Sequence, residues 1–166
     1  MSKPKVLVVG SLNIDMILKI ERMPEVGENL FVKEFSMLPG GKGNNQAVAC
    51  ARLGALVSMI GKVGDDEFGE RLFTNLAQEN VDFAFVTRQV LVHTGLAFIF
   101  VDEKGENRIL VAPGANMELS VTDLNNALEL FKASDFLVLQ LEIPHEVVKK
   151  CIEHAHRFGV RVVLNH

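Results

Sequence analysis

The chain is organised around one glycine-rich stretch, Pro39-Gly40-Gly41-Lys42-Gly43-Asn44-Asn45-Gln46-Ala47, which runs directly into a segment with helical character. Glycine allows positive φ angles and lets a ligand approach the main chain closely. The following helix would aim free N–H groups and its positive dipole end at the same point. A Walker loop is excluded, because Lys42 is followed by Gly43 instead of Ser or Thr,. The stretch therefore predicts a site for a small hydroxylated or phosphorylated molecule; a plain glycine turn before a helix is the alternative.

Short apolar runs alternate with helical patterns on both sides of this stretch. The continuous apolar runs are typical of strands buried on both faces of a parallel sheet. The alternation predicts an α/β fold, a doubly wound parallel (Rossmann-like) sheet with helices on both faces. The predicted strands are residues 6–9, 57–63, 82–86, 136–141 and 160–164, and the predicted helices lie at about 43–53, 67–76, 120–131 and 144–158.

Two further pairs of segments have a different pattern. Residues 15–20 and 29–35 mix polar and apolar side chains around turn residues, and residues 95–101 and 108–112 flank a polar turn,. Both pairs are predicted to form a small β flap, or lid, standing off the main sheet. Residues 1–166 are thus expected to form a single α/β domain with flap insertions at about 14–38 and 94–112.

Composition limits the possible partners and location. The chain has 166 residues, a net charge of −4 and a hydrophobic share of 48%. A negative net charge gives no reason to expect nucleic acid or an anionic membrane as partner. The sequence has no signal peptide and no apolar run of transmembrane length, which predicts a cytoplasmic protein. Cys50 and Cys151 are expected as buried reduced thiols, and His154 and His156 as solvated side chains that hold no metal,.

Polar side chains follow several of the predicted strands. Asn13 and Asp15 come after the first strand, Glu142 after a later one and Asn165 after the last. Because parallel sheets bind ligands beyond the carboxyl ends of their strands, these residues are expected at one rim with the glycine stretch. Carboxylates and amides there suit a polyol. Taken singly, Asp15 could be a turn residue, and Glu142 a favourable charge near a helix start.

Three spaced motifs stand out along the chain: Gly10-Ser11-Leu12-Asn13-Ile14-Asp15, Gly40-Gly41-Lys42-Gly43-Asn44-Asn45-Gln46-Ala47 and Gln140-Leu141-Glu142-Ile143-Pro144. Together they resemble the N-terminal half of the ribokinase and phosphofructokinase-B family of sugar kinases. The resemblance covers the chain from Val6 to Asn165, and the glycine-lysine-glycine-asparagine form is more similar to ribokinases than to adenosine kinases or fructokinases.

The resemblance implies ATP-dependent phosphorylation of a sugar hydroxyl with a divalent cation, and for ribokinases transfer to O5 of D-ribose. It assigns Asp15 to binding hydroxyls, although a carboxylate beside a sugar could also act as a base. Ala97 and Ile99 would make apolar contacts from a flap strand. Adenosine, fructose or another sugar stay open as substrates. The residues implied to hold the sugar are Asn13, Asp15, Gly41, Lys42, Asn45, Ala97, Ile99 and Glu142.

Family members are close to twice this length. The half of the family's sequence that has no counterpart in this chain carries a Gly-Ala-Gly-Asp segment with the catalytic base, the anion hole and most of the ATP and metal site. The chain is therefore expected to be a truncated, sugar-binding half with no catalytic residue or metal ligand of its own, inactive alone, with ATP and Mg²⁺ belonging to the full-length family.

An uncovered strand at residues 160–164 would favour a homo-oligomer, a dimer formed through the β flap or the exposed sheet edge,. The alternative function is a non-catalytic sugar-binding or self-assembling fragment with a rearranged sheet.

Overall fold

The computed structural model describes residues 3–165. In chain order its elements are β1 (Lys5–Val9), β2 (Asn13–Lys19), β3 (Glu34–Gly40), α1 (Lys42–Arg52), β4 (Leu56–Gly64), α2 (Glu67–Gln78), β5 (Asp82–Gln89), β6 (Gly95–Val101), β7 (Asn107–Ala112), a 3₁₀ helix (Gly114–Glu118), α3 (Val121–Asn126), α4 (Leu128–Ala133), β8 (Phe136–Leu139), α5 (His145–Phe158) and β9 (Arg161–Leu164).

The main sheet has five parallel strands in the order β5-β4-β1-β8-β9. Side chains alternate across its central strand: Leu7 and Val9 enter a core shared with α3, α4 and α5, whereas Val6 and Val8 enter a second core shared with α1 and α2,. Helices therefore cover both faces, and the predicted doubly wound parallel sheet is confirmed. The strand at residues 160–164 was expected to be uncovered, and β9 forms an edge of this sheet.

Four strands form a second sheet, called the flap below, in the order β3-β2-β6-β7. The β2 strand pairs antiparallel with β3 and parallel with β6, which pairs antiparallel with β7. The predicted insertions contain β6 and β7, whereas β2 begins one residue before the first insertion and β3 ends two residues after it. The division of the chain into one domain with two insertions stays a prediction.

The predicted flap strand at residues 29–35 is wrong, because β3 runs from Glu34 to Gly40. Its partner β2 ends at Lys19, which pairs with Glu34, so residues 29–33 lie beyond the end of that pairing. Pro39 can lie within β3 because the strand is at the flap edge, where a missing N–H breaks no internal ladder,. The beginning of the glycine stretch therefore belongs to a strand.

Two helical predictions also change. The pattern predicted over residues 120–131 starts with the expected capping box at Ser120 and Asp123, but it divides at Ala127 into α3 and α4,. His154 was expected in solvent and is instead buried on the inner face of α5, between the rings of Phe131 and Phe158. Burial, followed by the charges of nearby basic residues on α5, lowers the pKa of His154,.

None of the helices in the described part of the chain has the length and apolar character needed to span a bilayer.

Candidate functional site

The start of α1 and the loop after β8 meet the flap strands β2, β6 and β7 around a cavity of about 190 Å³. All eight predicted sugar-contacting residues line it, so the structure brings them together; their role in binding stays a prediction. Asn165 lies outside this lining. The lining residues are Asn13, Asp15, Gly41, Lys42, Asn45, Ala97, Ile99, Ile109, Val111 and Glu142.

The flap supplies an apolar roof to this cavity. In the strand register Asp15 lies opposite Ala97, and Ala97 lies opposite Val111. Because paired residues point to the same face of a sheet, a carboxylate and the apolar side chains face one side together. The sequence analysis did not predict that Ile109 and Val111 line the cavity. Their pairing with Ile99 and Ala97 across the second hairpin could have indicated this position.

The glycines of the stretch allow backbone segments to pack against each other at the cavity wall. Gly41 has a φ angle of +88°, and a Cβ atom on it would lie 2.8 Å from the Asn13 nitrogen and 2.8 Å from the Ser11 carbonyl oxygen. A Cβ on Gly40 would lie 2.2 Å from the Asp15 carboxylate. Any larger side chain at these positions would displace the β1–β2 turn or Asp15.

Helix α1 has Gly41 as its N-cap residue and therefore has no side-chain cap of its own. Other segments satisfy its first N–H groups: that of Gly43 donates to Ser11 Oγ at 3.4 Å, and that of Lys42 donates to Glu142 Oε2 at 3.5 Å. The Asn44 N–H donates to the Ser11 carbonyl at 2.9 Å. The expectation that these donors are free for a ligand is therefore wrong, since the protein uses them to hold its own groups.

Glu142 is the residue on which these contacts converge. It accepts a hydrogen bond from Ser11 Oγ at 2.6 Å, and Lys42 Nζ lies 3.6 Å from its Oε1. The positive end of α1 also favours its negative charge. The carboxylate is thus fixed at the cavity rim with its orientation set from three sides. Ser11 is 1% exposed. The sequence analysis assigned it no role, although its position in the first motif indicated that it lies near the site.

Asp15 faces the same cavity from β2. Burial, and then the negative charge of Glu142, raise the pKa of the Asp15 carboxyl,. Two carboxylates, the Lys42 amine and the Asn13 and Asn45 amides therefore surround one small space. Carboxylates accept hydrogen bonds from hydroxyl groups, while amines and amides donate hydrogen bonds to hydroxyl oxygens. The arrangement can therefore bind a polyhydroxylated ligand through both the proton and the oxygen of each hydroxyl.

Asn116 is a further residue that the sequence did not indicate. It is 2% exposed and donates from Nδ2 to Asn13 Oδ1 at 2.8 Å. The two residues are 103 positions apart, so no local pattern could have joined them.

A larger cavity of about 430 Å³ lies between the flap and α2 and includes Ile14, Met37, Arg71 and Asn75. We favour the smaller cavity as the site because two carboxylates and an amine converge on it. Among residues 3–165, no group of three or more His, Cys, Asp or Glu side chains is arranged to hold a metal ion.

The chain is similar to known proteins in sequence and in fold. A family model described as pfkB family carbohydrate kinase matches residues 3–166. Ribokinase of Bacillus subtilis (strain 168) is 38% identical over 160 residues, covering 96% of this chain and 54% of the relative. Deoxyribokinase of Salmonella typhi is 39% identical over 160 residues, covering 96% of this chain and 52% of the relative.

A solved structure of Arabidopsis thaliana ribokinase complexed with ribose and ATP is also similar. It superimposes with a TM-score of 0.86 at 32% identity, covering 99% of this chain and 53% of that one. The chain therefore spans about half the length of the relatives it matches.

Proposed function

Because the chain belongs to the pfkB family of carbohydrate kinases, we propose that it is the sugar-binding half of a ribokinase-type enzyme, which transfers phosphate from ATP to O5 of D-ribose. The observation that carries this proposal is the single cavity in which Asp15, Asn45 and Glu142 meet under the flap. Its volume of about 190 Å³ is below the roughly 300–1,000 Å³ of pockets for drug-sized ligands, which suits a pentose,.

The cavity residues divide the work of holding a sugar. Asp15 and Glu142 accept hydrogen bonds from hydroxyl groups, and charged acceptors make the stronger bonds. Lys42, Asn13 and Asn45 donate to the sugar oxygens. Ala97 and Ile99, with their neighbours on β7, cover the apolar face of the ring and exclude water. In this proposal Asp15 and Glu142 bind and orient the sugar and do not act as the base.

We assign no ATP or Mg²⁺ ligand to the described residues. Arabidopsis thaliana ribokinase, whose solved structure contains ribose and ATP, has about twice the length of this chain. Phosphoryl transfer depends on neutralising the charge of the transferred group, and the residues present supply only the acceptor's position. We therefore expect no transfer by the 166-residue chain alone. Formation of ribose 5-phosphate by the purified chain with ATP and Mg²⁺ would contradict this part of the proposal.

Isothermal titration calorimetry with D-ribose tests the sugar site directly. D-ribose and 2-deoxy-D-ribose should be titrated in parallel, because relatives named for both sugars match the chain equally well. Saturable heat with either pentose, lost in Asp15→Ala and kept in the surface control Asp82→Ala, is expected. If neither pentose binds at millimolar concentration, the proposed site is wrong.

A self-assembling fragment is a second candidate function, favoured by an apolar groove beside the sheet edge. The groove has a volume of about 380 Å³ and is lined by Val6, Phe136, Val138 and Val163 among others. The adjacent β9 strand exposes Val162, Val163 and Leu164 by 39–49%. The flap also exposes Phe35 and Leu110. Exposed apolar residues beside an open strand edge favour pairing with another chain.

We therefore propose a cytoplasmic homo-oligomer, a dimer joined through the flap or the β9 edge. Sedimentation velocity across a hundredfold range of protein concentration tests this assembly. Leu110→Lys should weaken a flap dimer, whereas Val163→Lys should weaken an edge dimer. A monomer at every concentration would contradict the assembly and would leave the sugar site to be judged by calorimetry alone.

A further inference from the structure

Asn116 lies in the 3₁₀ helix between β7 and α3, and both ends of its side-chain amide are in use. Oδ1 accepts the Leu12 N–H at 2.8 Å. Nδ2 lies 3.1 Å from the Leu12 carbonyl oxygen, 2.9 Å from the Pro113 carbonyl oxygen and 2.8 Å from Asn13 Oδ1. Asn116 therefore clamps the β1–β2 turn from which Asn13 enters the cavity.

These partners fix which way the Asn116 amide points. A main-chain N–H can only donate and a main-chain carbonyl can only accept. The Leu12 N–H therefore requires the Asn116 oxygen, and the two carbonyls require its nitrogen. With the nitrogen of Asn116 facing it, Asn13 must present its own oxygen to the pair, so the Asn13 Nδ2 group remains for the cavity.

The start of β6 holds this pair of amides from the other side. A Cβ atom on Gly95 would lie 2.1 Å from Asn13 Oδ1 and 2.3 Å from Asn116 Nδ2. The β6 backbone thus passes directly over both amides. Asn13 is 4% exposed and Asn116 2% exposed, so water does not compete strongly for their hydrogen bond,.

We propose that Asn116 is a positioning residue that makes Asn13 a hydrogen-bond donor to the sugar. The cavity also has acceptors at Asp15 and Glu142 and donors at Lys42 and Asn45. A hydroxyl that donates to a carboxylate needs a donor for its own oxygen, and a ligand with several hydroxyls can use a third donor. Asn13 Nδ2 supplies that donor only while its carbonyl is held by Asn116. This role rests on the proposed sugar-binding function.

Asn116→Asp tests the proposal because an aspartate keeps the shape and the acceptor for Leu12 but loses the donor. Asn13 would then turn its nitrogen toward the new carboxylate and present its oxygen to the sugar. Replacing a donor by an acceptor should weaken ribose binding by about 10–100-fold. Asn13→Asp also presents an oxygen, so it should weaken binding to within about threefold of the same value.

Asp123→Asn is the control for a general loss of stability. It removes the charge of Asp123 on α3 from a half-buried network with Lys62 on β4 and the N-cap residue Ser120, away from the cavity. Its melting temperature should fall while its ribose affinity stays within twofold of the unsubstituted chain. An equal loss of affinity in Asp123→Asn would overturn the specific role of Asn116.

A double-mutant cycle separates positioning from a merely structural effect. In an Asn13→Ser background, Asn116→Asp should cause little further loss of affinity, because the side chain it reorients is gone. A full additional loss would overturn the proposal. If Asn116→Asp does not fold, Asn116→Ser replaces it: removing the clamp lets Asn13 take both orientations and should weaken ribose binding by about fivefold, whereas unchanged affinity would overturn the proposal.

NMR of the ligand-free chain gives a readout that does not need the sugar. The Asn13 side-chain NH₂ protons should exchange rapidly with water in the unsubstituted chain, and in Asn116→Asp they should become protected and shift downfield as they bond the carboxylate. If ribose does not bind the unsubstituted chain, the sugar proposal fails, and this readout still decides the orientation. Protected Asn13 protons in both proteins would overturn the inference.

Discussion

Helix α2 begins with a cap supplied by its own segment, whereas helix α1 begins without one. At α2 the Asp66 side chain accepts the Gly69 N–H at 2.9 Å and also binds the N–H and hydroxyl of Thr94. At α1 the first N–H groups depend on Ser11 and Glu142, which come from the loops after β1 and β8. The start of α2 is thus closed and structural, and the start of α1 is assembled from distant segments and borders a cavity.

The carboxylates at these two helix starts also differ, because their pKa values are shifted in opposite directions. Burial alone would raise the pKa of Asp66, but the hydrogen bonds from Thr94 and Gly69 lower it. Burial and the charge of Glu142 raise the pKa of Asp15, which lies against the glycines before α1. The charge of Asp66 therefore stabilises the folded state. The charge of Asp15 destabilises the folded state, but it makes the cavity polar.

The largest effect is expected from Gly41→Ala. Its φ of +88° strains any other residue, and the new Cβ would lie 2.8 Å from two backbone atoms of the β1–β2 turn. We expect a loss of about 3 kcal/mol in unfolding free energy, together with loss of ribose binding, measured by urea denaturation and calorimetry.

Gly54→Ala is the matched control at the other end of α1. Gly54 has a φ of +93°, but no atom lies within 4 Å of its added Cβ. It should lose only about 1 kcal/mol. Equal losses in the two variants would show that the close approach at Gly41 contributes nothing.

Glu142→Gln should have the next largest effect, and mainly on affinity. It keeps the shape but removes the charge that Lys42, Ser11 and the start of α1 stabilise. Ribose affinity should fall about 30-fold, roughly 2 kcal/mol. The control Glu129→Gln removes a charge from an exposed glutamate–lysine pair on α4 and should leave affinity unchanged,. Similar losses in both would argue against a specific role for Glu142.

Asp66→Ala should reverse this division between stability and affinity. Losing the cap should cost about 1.5 kcal/mol of stability, with ribose affinity kept within twofold. Because the pKa of Asp66 is lowered in the folded chain, its stabilising charge is present above pH 3.8 and is lost as the pH falls through the lowered value,. The melting temperatures of the two proteins should therefore converge below pH 3.8. A large drop in affinity would mean that the two helix starts are not independent.

Asp15→Asn should give the smallest change, and an increase in stability. The folded-state pKa of Asp15 is raised, so its charge is unfavourable above that value, and the penalty disappears as the pH falls toward the ordinary value of 3.8,. The variant should melt slightly higher than the unsubstituted chain at pH 7 and at the same temperature near pH 4, while it binds ribose more weakly. Destabilisation at pH 7 would contradict this assignment.

Local signals predicted much of this architecture. The acidic start of α2 and the Pro144 and Gly159 boundaries of α5 lie next to the helices they limit, so the sequence alone indicates them,. The residues at β3 and His154 were misplaced for different reasons. The bounds of β3 depend on the register with β2, whereas the inward spacing of Val147, Cys151 and His154 on α5 was a usable signal outweighed by the polarity of histidine,.

The candidate site was predictable where a residue belongs to a recognisable motif or follows a strand. Asp15, Lys42 and Glu142 satisfy one of these conditions, and all three line the cavity. Ser11 and Asn116 act through partners 131 and 103 positions away, which only the folded chain brings into contact. The orientation of an amide likewise depends on three-dimensional neighbours and has no trace in a single sequence.

The contacts at the two helix starts can also form at different times during synthesis. The Asp66–Thr94 contact spans 28 residues and can close once Thr94 has emerged from the ribosome,. The α1 start cannot close until Glu142 has emerged, 100 residues after Lys42,. Until then its N–H groups and the glycines beside it are open to water or to a chaperone. The binding cavity is thus completed later than the start of α2 as the polypeptide grows.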